Sequence, residues 1–552
     1  MNPHQQPVPG TVRSDPGQDR RLVTIALDKG GVLRWHLWLI EALRVRYDVA
    51  VLLLALDNAV RLPAACRVAF ELERILYRIP SGAAVDTVDA AEIASLPIAD
   101  IERGHGFDSA IDCTGRLCPG GRRVLTPLFD GMPGEIGLVS ALLDNRRIVI
   151  AIDDAERPLD SVTATPALAD RKVLLHAIDN ACSIAVELVI KALERQPIPV
   201  TRRLTPPRRD ASVAGSLAFV ASSLAWKVNR YLSLRLAGRE QWSVAWRKTG
   251  GVGLIEGRDG DFAVVPDDGR RYFADPFVLR HRGRTAVFME EFSFATLRGR
   301  IAVAMFEDDG ALSPPRPALE DDCHLSYPHV FESDGAVWMI PESGDRARVD
   351  LYRAVDFPFR WRREATLLEG VAAYDATVMR DGEGWWMFAA TRVRRSTGWD
   401  VLNAYYAPDI RGPWRPCADN PVVLDARAAR SGGGVIAFRG ERLRPVQDCS
   451  PSYGSAIALW RIDRIDRAGL EQTQVARITS DRFGVHTFNA ASGFEVIDGF
   501  GRTRGAPSLT VSLRKTPSDP PAVPAPGRRR VEREADGDAG PIPLPQRFGN
   551  DA

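Results

Sequence analysis

The sequence predicts a multidomain chain in which an α/β domain is followed by an all-β, five-bladed propeller. Three observations lead there. The chain has 552 residues, more than a single hydrophobic core serves. Its first two hundred residues alternate apolar strand-like runs with amphipathic stretches. From Trp242 onward helical periodicity nearly vanishes, and short strands rich in Val, Phe, Tyr and Trp recur with a period of about 50 residues, the length of one four-stranded blade.

The α/β domain is expected over 21–200. LVTIAL (22–27), VAVLLLAL (49–56), FDSAIDCTG (107–115) and RRIVIAIDD (146–154) read as strands. WHLWLIEALRVRY, after Gly30-Gly31, and the stretch 172–194 carry helical spacing. Strands alternating with helices imply a largely parallel sheet. TRRLTPPRRDAS at 201–212 breaks the pattern, so 201–241 is read as linker and helix, the uncharged run Val213 to Trp226 packing as a helix. Residues 1–20 and 501–552 are rich in Pro, Gly and charge and are expected to be disordered.

The propeller is expected over 242–500. Five segments align, starting at Ala274, Tyr327, Tyr374, Gly432 and His486, and the first four read as strand, Gly-containing hairpin, strand. Anchors Asp275, Pro328, Asp375, Gly433 and Asn489 lie 53, 47, 58 and 56 residues apart. First strands of blades line the axis, so matching offsets point at one shared cavity. Asp275 and Asp375 share one offset. Glu290, Glu342, Ala390 and Gln447 share another, at the end of each second strand. His329, Asp448, His486 and Asn489 add polar groups, and Tyr327, Tyr374, Trp385 and Trp386 offer faces for stacking on sugars. Glu290, beside Glu291, reads as solvated. Paired carboxylates around a pocket suit glycoside chemistry, where one acid must be protonated and another ionised.

The segments Ala274-Asp275-Pro276 and Tyr374-Asp375-Ala376 resemble the five-bladed propellers of glycoside hydrolase family 43. The resemblance implies Asp275 as a general base and Asp375 as the residue that tunes the acid. That family's acid is a glutamate in blade four, where this chain reads Ser431-Gly432-Gly433-Gly434. Five ordered strings, YFADPFVL, LSYPHVFE, WMIPES, RPVQDCSPSYG and HTFNA, resemble the propeller N-terminal to the transferase domain of plant glucosamine inositolphosphorylceramide transferases and their bacterial homologues. This implies a role in glycan or glycolipid biosynthesis. FDSAIDCTG and the following LTPLFDGMPGEIGLVSALLDNRRIVIAIDD resemble the formyltransferase fold, a Rossmann-like α/β arrangement. Thr126 to Asp130 lacks that family's histidine, and His36, His105 and His176 fall outside its pattern, so the domain reads as degenerate.

Charge excludes one class of partner. Lys plus Arg is 72 and Asp plus Glu 71, giving a net charge of +1 without the basic face that nucleic acid requires. Seven cysteines without a CxxC pair argue against a disulfide framework or zinc site and for a reducing, cytoplasmic setting. No run of about 18 apolar residues predicts a transmembrane segment. No metal or cofactor is specified. The reading that follows is a carbohydrate-binding or carbohydrate-processing protein of polysaccharide or glycolipid biosynthesis. Asp275, Asp375 and Glu342 would be catalytic or pocket-lining, and Tyr327, His329, Tyr374, Gln447, Asp448, His486 and Asn489 would contact ligand, with a partner protein of glycan assembly possible. The alternatives are an inverting glycosidase with Asp275 as base, and a non-catalytic scaffold for protein partners.

Overall fold

The computed structural model describes residues 20–516 apart from 195–214, 226–239 and several shorter interior stretches. Residues 1–19, the 201–212 break, His105 and Cys118 lie outside the described residues; of the run Val213 to Trp226, residues 215 and 218–225 are described and helical.

The N-terminal sheet contains β1 (Leu22–Asp28), β2 (Asp48–Leu54), β3 (Ser109–Asp112), β4 (Arg123–Phe129), β5 (Met132–Pro133), β6 (Ile150–Asp154) and β7 (Val162–Ala164). Their order is β2-β1-β3-β4-β6-β7, with β5 paired to β4. The first four are parallel, as the buried apolar runs require. β6 and β7 add antiparallel at the far edge. Helices α1 (Arg34–Arg44), α2 (Ala64–Tyr77), α3 (Ala90–Ala94), α4 (Ile136–Leu143) and α5 (Leu174–Glu194) complete this part. In α5 polar and apolar residues alike are buried, from Leu174 to Leu193.

The strand-rich part begins with β8 (Glu240–Lys248) and β9 (Gly260–Val264). Three sheets follow in chain order. The first is β10 (Arg271–His281), β11 (Arg284–Ser293), β12 (Arg298–Met305) and β13 (Arg316–Leu319). The second is β14 (Ser326–Ser333), β15 (Ala336–Glu342), β16 (Arg348–Asp356) and β17 (Arg360–Glu369). The third is β18 (Ala373–Asp381), β19 (Gly384–Thr391), β20 (Val401–Ala407), β21 (Arg415–Pro416) and β22 (Val423–Leu424). The remaining strands are β23 (Ile436–Phe438), β24 (Glu441–Gln447), β25 (Ile457–Ile465), β26 (Leu470–Ser480), β27 (Phe488–Ala491), β28 (Phe494–Arg502) and β29 (Ser508–Lys515). They join β8 and β9 in a nine-stranded sheet, β23-β24-β25-β26-β29-β9-β8-β28-β27. First strands pack on one another, β10 on β14, β14 on β18, and β10 on β27, in the manner of a propeller.

Two features depart from the sequence expectation. The ring is closed by β8, which precedes the first repeat yet pairs with β28 from Glu240↔Arg502 to Lys248↔Phe494. The stretch expected as a disordered tail from 501 contains β29, which pairs with β26 and β9 and buries Leu509 and Val511. Its alternation, SLTVSLR, is short and lies beside Pro- and Arg-rich sequence that hid it.

Residues up to Thr516 group as one compact unit, with α5 packed on the third sheet. Asp400, fully buried, accepts from Ala167 N–H at 3.0 Å and Asn180 Nδ2 at 2.8 Å. Asn180 Oδ1 accepts from Thr397 N–H at 2.8 Å. Asp179 accepts from Ala84 N–H and from Arg395 Nε, each at 2.6 Å. Arg394 pairs with Glu187, and Lys191 Nζ reaches Asp419 and the Pro421 carbonyl. The polar residues of α5 are thus matched by groups of the strand-rich part, as burial demands. Arg395→Ala leaves Asp179 buried with its one N–H partner and is expected to lower the unfolding free energy of the full chain by about 2 kcal/mol. Urea unfolding measures it, and an unchanged midpoint would show that this contact does not hold the halves together.

Candidate functional site

The site is built by a bulge repeated in the first strand of successive sheets. Ala274 opposes Glu290, Ser326 opposes Glu342, and Tyr374 opposes Ala390, and a register shift follows each pair. The next residue takes a left-handed conformation: Asp275 (φ 52°), Tyr327 (φ 42°) and Asp375 (φ 48°). Tyr327, not Pro328, is therefore the anchor equivalent to Asp275, because proline cannot adopt positive φ.

Each bulge turns its N–H toward a carboxylate of the preceding sheet. Asp275 N–H donates to Asp498 Oδ2 at 3.0 Å, Tyr327 N–H to Asp275 Oδ2 at 3.2 Å, and Asp375 N–H to Glu342 Oε2 at 3.0 Å. Asp498 belongs to β28 and follows the same scheme. Its carboxylate also accepts from the N–H groups of His486 and Thr487, each at 3.0 Å.

The glycine run in the next unit is a close approach of backbone. Gly433 (φ 141°) donates to the Tyr327 hydroxyl at 2.9 Å, and a Cβ there would lie 2.1 Å from the Phe488 carbonyl oxygen. A side chain at this position, acidic or otherwise, has no room.

Two polar clusters result. In the first, Arg430 Nε donates to Asp375 Oδ2 at 2.5 Å, its Nη2 lies 3.4 Å from Glu342 Oε2, and Gln447 Nε2 donates to Asp375 Oδ2 at 2.8 Å. The guanidinium lies 5.4 Å from the Tyr374 ring centroid and 5.2 Å from that of Tyr453. Gly344 and Gly398 leave room for Tyr374: a Cβ on either would come within 2.9 Å of its ring. Burial and the adjoining Asp375 carboxylate push the Glu342 carboxyl well up, with Arg430 opposing. In the second cluster, Asp275 accepts from Thr487 Oγ1 at 2.8 Å and lies 3.5 Å from His486 Nε2. His486 Nδ1 is 2.5 Å from Asp498 Oδ2, and its ring stacks on Trp242 at 3.7 Å. Burial pushes the Asp275 carboxyl up to about 6, helped by Asp375 and Asp498 and opposed by His486. Burial disfavours a charge on His486, but Asp498 and Asp275 outweigh it and raise its pKa.

The structure brings Asp275, Asp375, Glu342, Tyr327, Tyr374, Gln447 and His486 together. Glu290 joins them: it is buried, not solvated, with its carboxyl pushed well up by burial, Asp275 and Glu342. Its Oε1 has no hydrogen-bond partner and lies 3.4 Å from His324 Nε2. Its neighbour Glu291 is buried too and paired with Arg271 and Arg300.

Three expected ligand contacts serve other groups. Asp448 is held by Arg477 and Ser450, which keep its carboxyl low despite burial. His329 packs between Phe277 and Phe331, and burial holds it neutral with a pKa of about 4. Asn489 ties Gly434 N–H to the Pro276 carbonyl. Trp385 and Trp386 are buried in the cores between sheets, Trp385 against Phe331, four to five residues along β19 from Ala390 and so about 13–17 Å distant.

Arg430, Asp498, Trp242 and Tyr453 were not singled out from sequence. Arg430 precedes the glycine run and lies outside the repeat. Asp498 sits only 11 residues after Thr487, against 15 from Asp275 to Glu290, so the common offset passed over it. Among the described residues, Asp275, His486 and Asp498 place one ligand atom each within 4.8 Å of the others, as do the more exposed Asp321, Asp322 and Cys323. The first trio has the donor set for a cation.

Comparison with known proteins follows this geometry. Residues 264–495 match the family model described as glucosamine inositolphosphorylceramide transferase 1, N-terminal. The strand-rich part is similar to that family. Glucosamine inositolphosphorylceramide transferase 1 of Oryza sativa subsp. japonica is 32% identical over 208 residues, 37% of this chain and 28% of the relative. The Arabidopsis thaliana protein of the same name is 28% identical over 325 residues, 50% of this chain and 41% of the relative. The chain thus spans less than half the length of the curated relatives it matches. Similar solved structures include a GH43 β-xylosidase/α-arabinofuranosidase from a compost microbial metagenome (13% identity, TM-score 0.33, 44% of this chain and 91% of that one). An exo-β-1,3-galactanase from Clostridium thermocellum is another (15% identity, TM-score 0.31, 42% and 55%).

The titration of Asp275 gives a signed expectation. Its folded pKa lies above its unfolded one, so its contribution to stability is complete below about pH 4 and is lost as pH rises to about 6. His486, also raised, loses its contribution in the same direction above its ordinary value. Asp275→Asn is expected to flatten the decline between pH 4 and 6 by on the order of 2–3 kcal/mol. Denaturant unfolding across that range reads it; parallel pH profiles for both proteins would contradict the assignment.

Proposed function

We propose that the propeller binds a carbohydrate or sugar-containing small molecule at the axial end where Asp375, Glu342, Arg430 and Tyr374 meet, in polysaccharide or glycolipid biosynthesis. The observation that carries this reading is the pairing of Glu342 with Asp375. One carboxyl is driven toward its protonated form while the other accepts from Arg430 and Gln447. A donor acid beside an acceptor carboxylate, rimmed by the half-buried ring of Tyr374, suits ligands bearing many hydroxyls and one apolar face. The matched family is the N-terminal part of a protein named for glucosamine and inositolphosphorylceramide, which supports the same substrate class.

We read the nine-stranded sheet as two four-stranded units welded along their outer edges by β29, which makes five blades around the axis. Hydrolysis with Asp275 as base is the weaker reading. Both oxygens of that carboxylate accept from protein groups, Tyr327 N–H and Thr487 Oγ1, so neither is left to activate a water.

The test is a screen of glycans and nucleotide sugars against the full chain, with Glu342→Gln and Asp375→Asn run alongside wild type at matched melting temperature. A ligand of wild type is expected to bind about tenfold or more weakly to both variants. Equal binding by all three proteins, or no ligand in the screen, would remove the assignment.

A further inference from the structure

The N-terminal sheet holds a second site. The chain leaves β1 for β2 on one side and later returns to β3 on the other. Connections at the carboxyl ends of β1 and β3 therefore run in opposite directions and open a crevice, the place where parallel sheets take ligands. A cavity of about 180 Å³ lies there, walled by Asp28 and Gly31 after β1 and by the 113–116 connection after β3. At about 30 Å³ per water in the liquid, it holds roughly six waters, space for the body of a small molecule whose charged end reaches the rim.

The β3 connection is shaped to leave this space. The Asp112 carboxylate accepts from Thr114 N–H at 2.9 Å, Thr114 Oγ1 at 2.6 Å and Leu117 N–H at 2.8 Å, folding the loop back. Gly115 sits at φ +67°, where a Cβ would come within 2.7 Å of the Pro133 ring.

The lining divides into three chemistries. The floor is His36 and Glu135, both buried. His36 Nδ1 accepts Leu33 N–H at 3.0 Å, so the neutral ring carries its proton on Nε2, 3.7 Å from Glu135 Oε1. Trp35 Nε1 donates to the same oxygen at 2.6 Å. Burial holds His36 uncharged, with a pKa of about 3, and favours the protonated form of Glu135. One wall is apolar, with Phe70 and Val85. At the rim stand Arg67 and Arg116, both exposed, and neither has a carboxylate partner among the described residues. Asp28 completes the rim as an acceptor.

The geometry points to a binding site for a small hydroxylated molecule carrying one oxyanion, of the sugar-phosphate or sugar-acid class. Its hydroxyls would meet Asp28, His36 and Glu135, its apolar face Phe70, and its oxyanion Arg67 and Arg116. Nucleic acid and extended glycans are too large for the enclosure. This inference stands apart from the propeller reading and fails separately from it.

Thermal-shift and calorimetric titrations of the full chain test it with hexose phosphates, glucuronate, glucose and inorganic phosphate. Phosphorylated or carboxylated sugars are expected to bind, with glucose and phosphate alone each weaker by about tenfold or more. A preference between hexose phosphate and glucuronate separates the two oxyanions. The Arg67→Ala/Arg116→Ala double variant is expected to lose the same factor. Glu135→Gln, which keeps a neutral hydrogen-bonding floor, is expected to retain binding that Glu135→Leu loses. Absence of binding by every hexose phosphate and by glucuronate, or equal binding by the double arginine variant, overturns the site. So does loss of binding in Asp375→Asn with the arginine variant unaffected, which would move the ligand to the propeller.

Discussion

The structure of the strand-rich part depends on one hydrogen bond made three times over: the N–H of a left-handed bulge residue donating to a carboxylate of the sheet before it. Non-glycine residues in that conformation cost on the order of 1–3 kcal/mol each. Asp275, Tyr327 and Asp375 adopt it because the reversed N–H has an acidic acceptor waiting in Asp498, Asp275 and Glu342. The acceptors must reach across from neighbouring sheets, so they converge on one end of the assembly. The concentration of acid there is a consequence of how the sheets are joined. Its electrostatic consequence is shared: burial pushes Asp275, Glu290 and Glu342 each toward their protonated forms, helped at Asp275 by Asp375 and Asp498, at Glu290 by Asp275 and Glu342, and at Glu342 by Asp375. Arg430 is the cation that keeps Asp375 tolerable there, and His486, its pKa raised against burial by Asp498 and Asp275, lies beside Asp498.

The repeat itself was legible because the bulge has a sequence signature. Asp275-Pro276 and Tyr327-Pro328 place a proline directly after the left-handed residue, and aligning the prolines would have set the register correctly. Choosing Pro328 as the anchor shifted one unit by a residue. The second-strand acids were legible too, except where the hairpin shortens between β27 and β28 and carries Asp498 out of step. Burial of Glu290 was not legible. It rests on β12 covering β11, Gly299 standing where any Cβ would meet the Glu290 carboxyl at 2.6 Å. The pairing of β8 with β28 was not legible for a different reason: β8 falls largely within the expected 242–500 region but precedes the first repeat, and periodicity sees only what recurs.

In the N-terminal part the largely parallel order followed from apolar runs of four to eight residues, and the helical spacing of 172–194 gave α5 but not the cover over its polar face. Its apolar spacing describes one face. Asp179, Asn180, Glu187 and Lys191 belong to another, and a sequence shows no partner for them because their partners lie more than 200 residues away, in 393–400 and 419–421. Buried polar residues on a long helix are a signal that something equally polar covers it.

That cover bears on the crevice between β1 and β3. Asp179 holds Arg395 of the strand-rich part with one oxygen and Ala84 N–H with the other, and Ala84 in turn receives Trp35 N–H at 3.1 Å. Val85 and Thr87 of the same segment wall the cavity, and Trp35 fixes Glu135 on its floor. The cavity is therefore shaped by groups anchored in the second half of the chain. The crevice thus gathers a buried acid hydrogen-bonded to an indole, a histidine with a fixed tautomer and two exposed arginines that have no carboxylate partner among the described residues. The enclosure is defined by groups other than Thr126 to Asp130, so the missing histidine there does not bear on it.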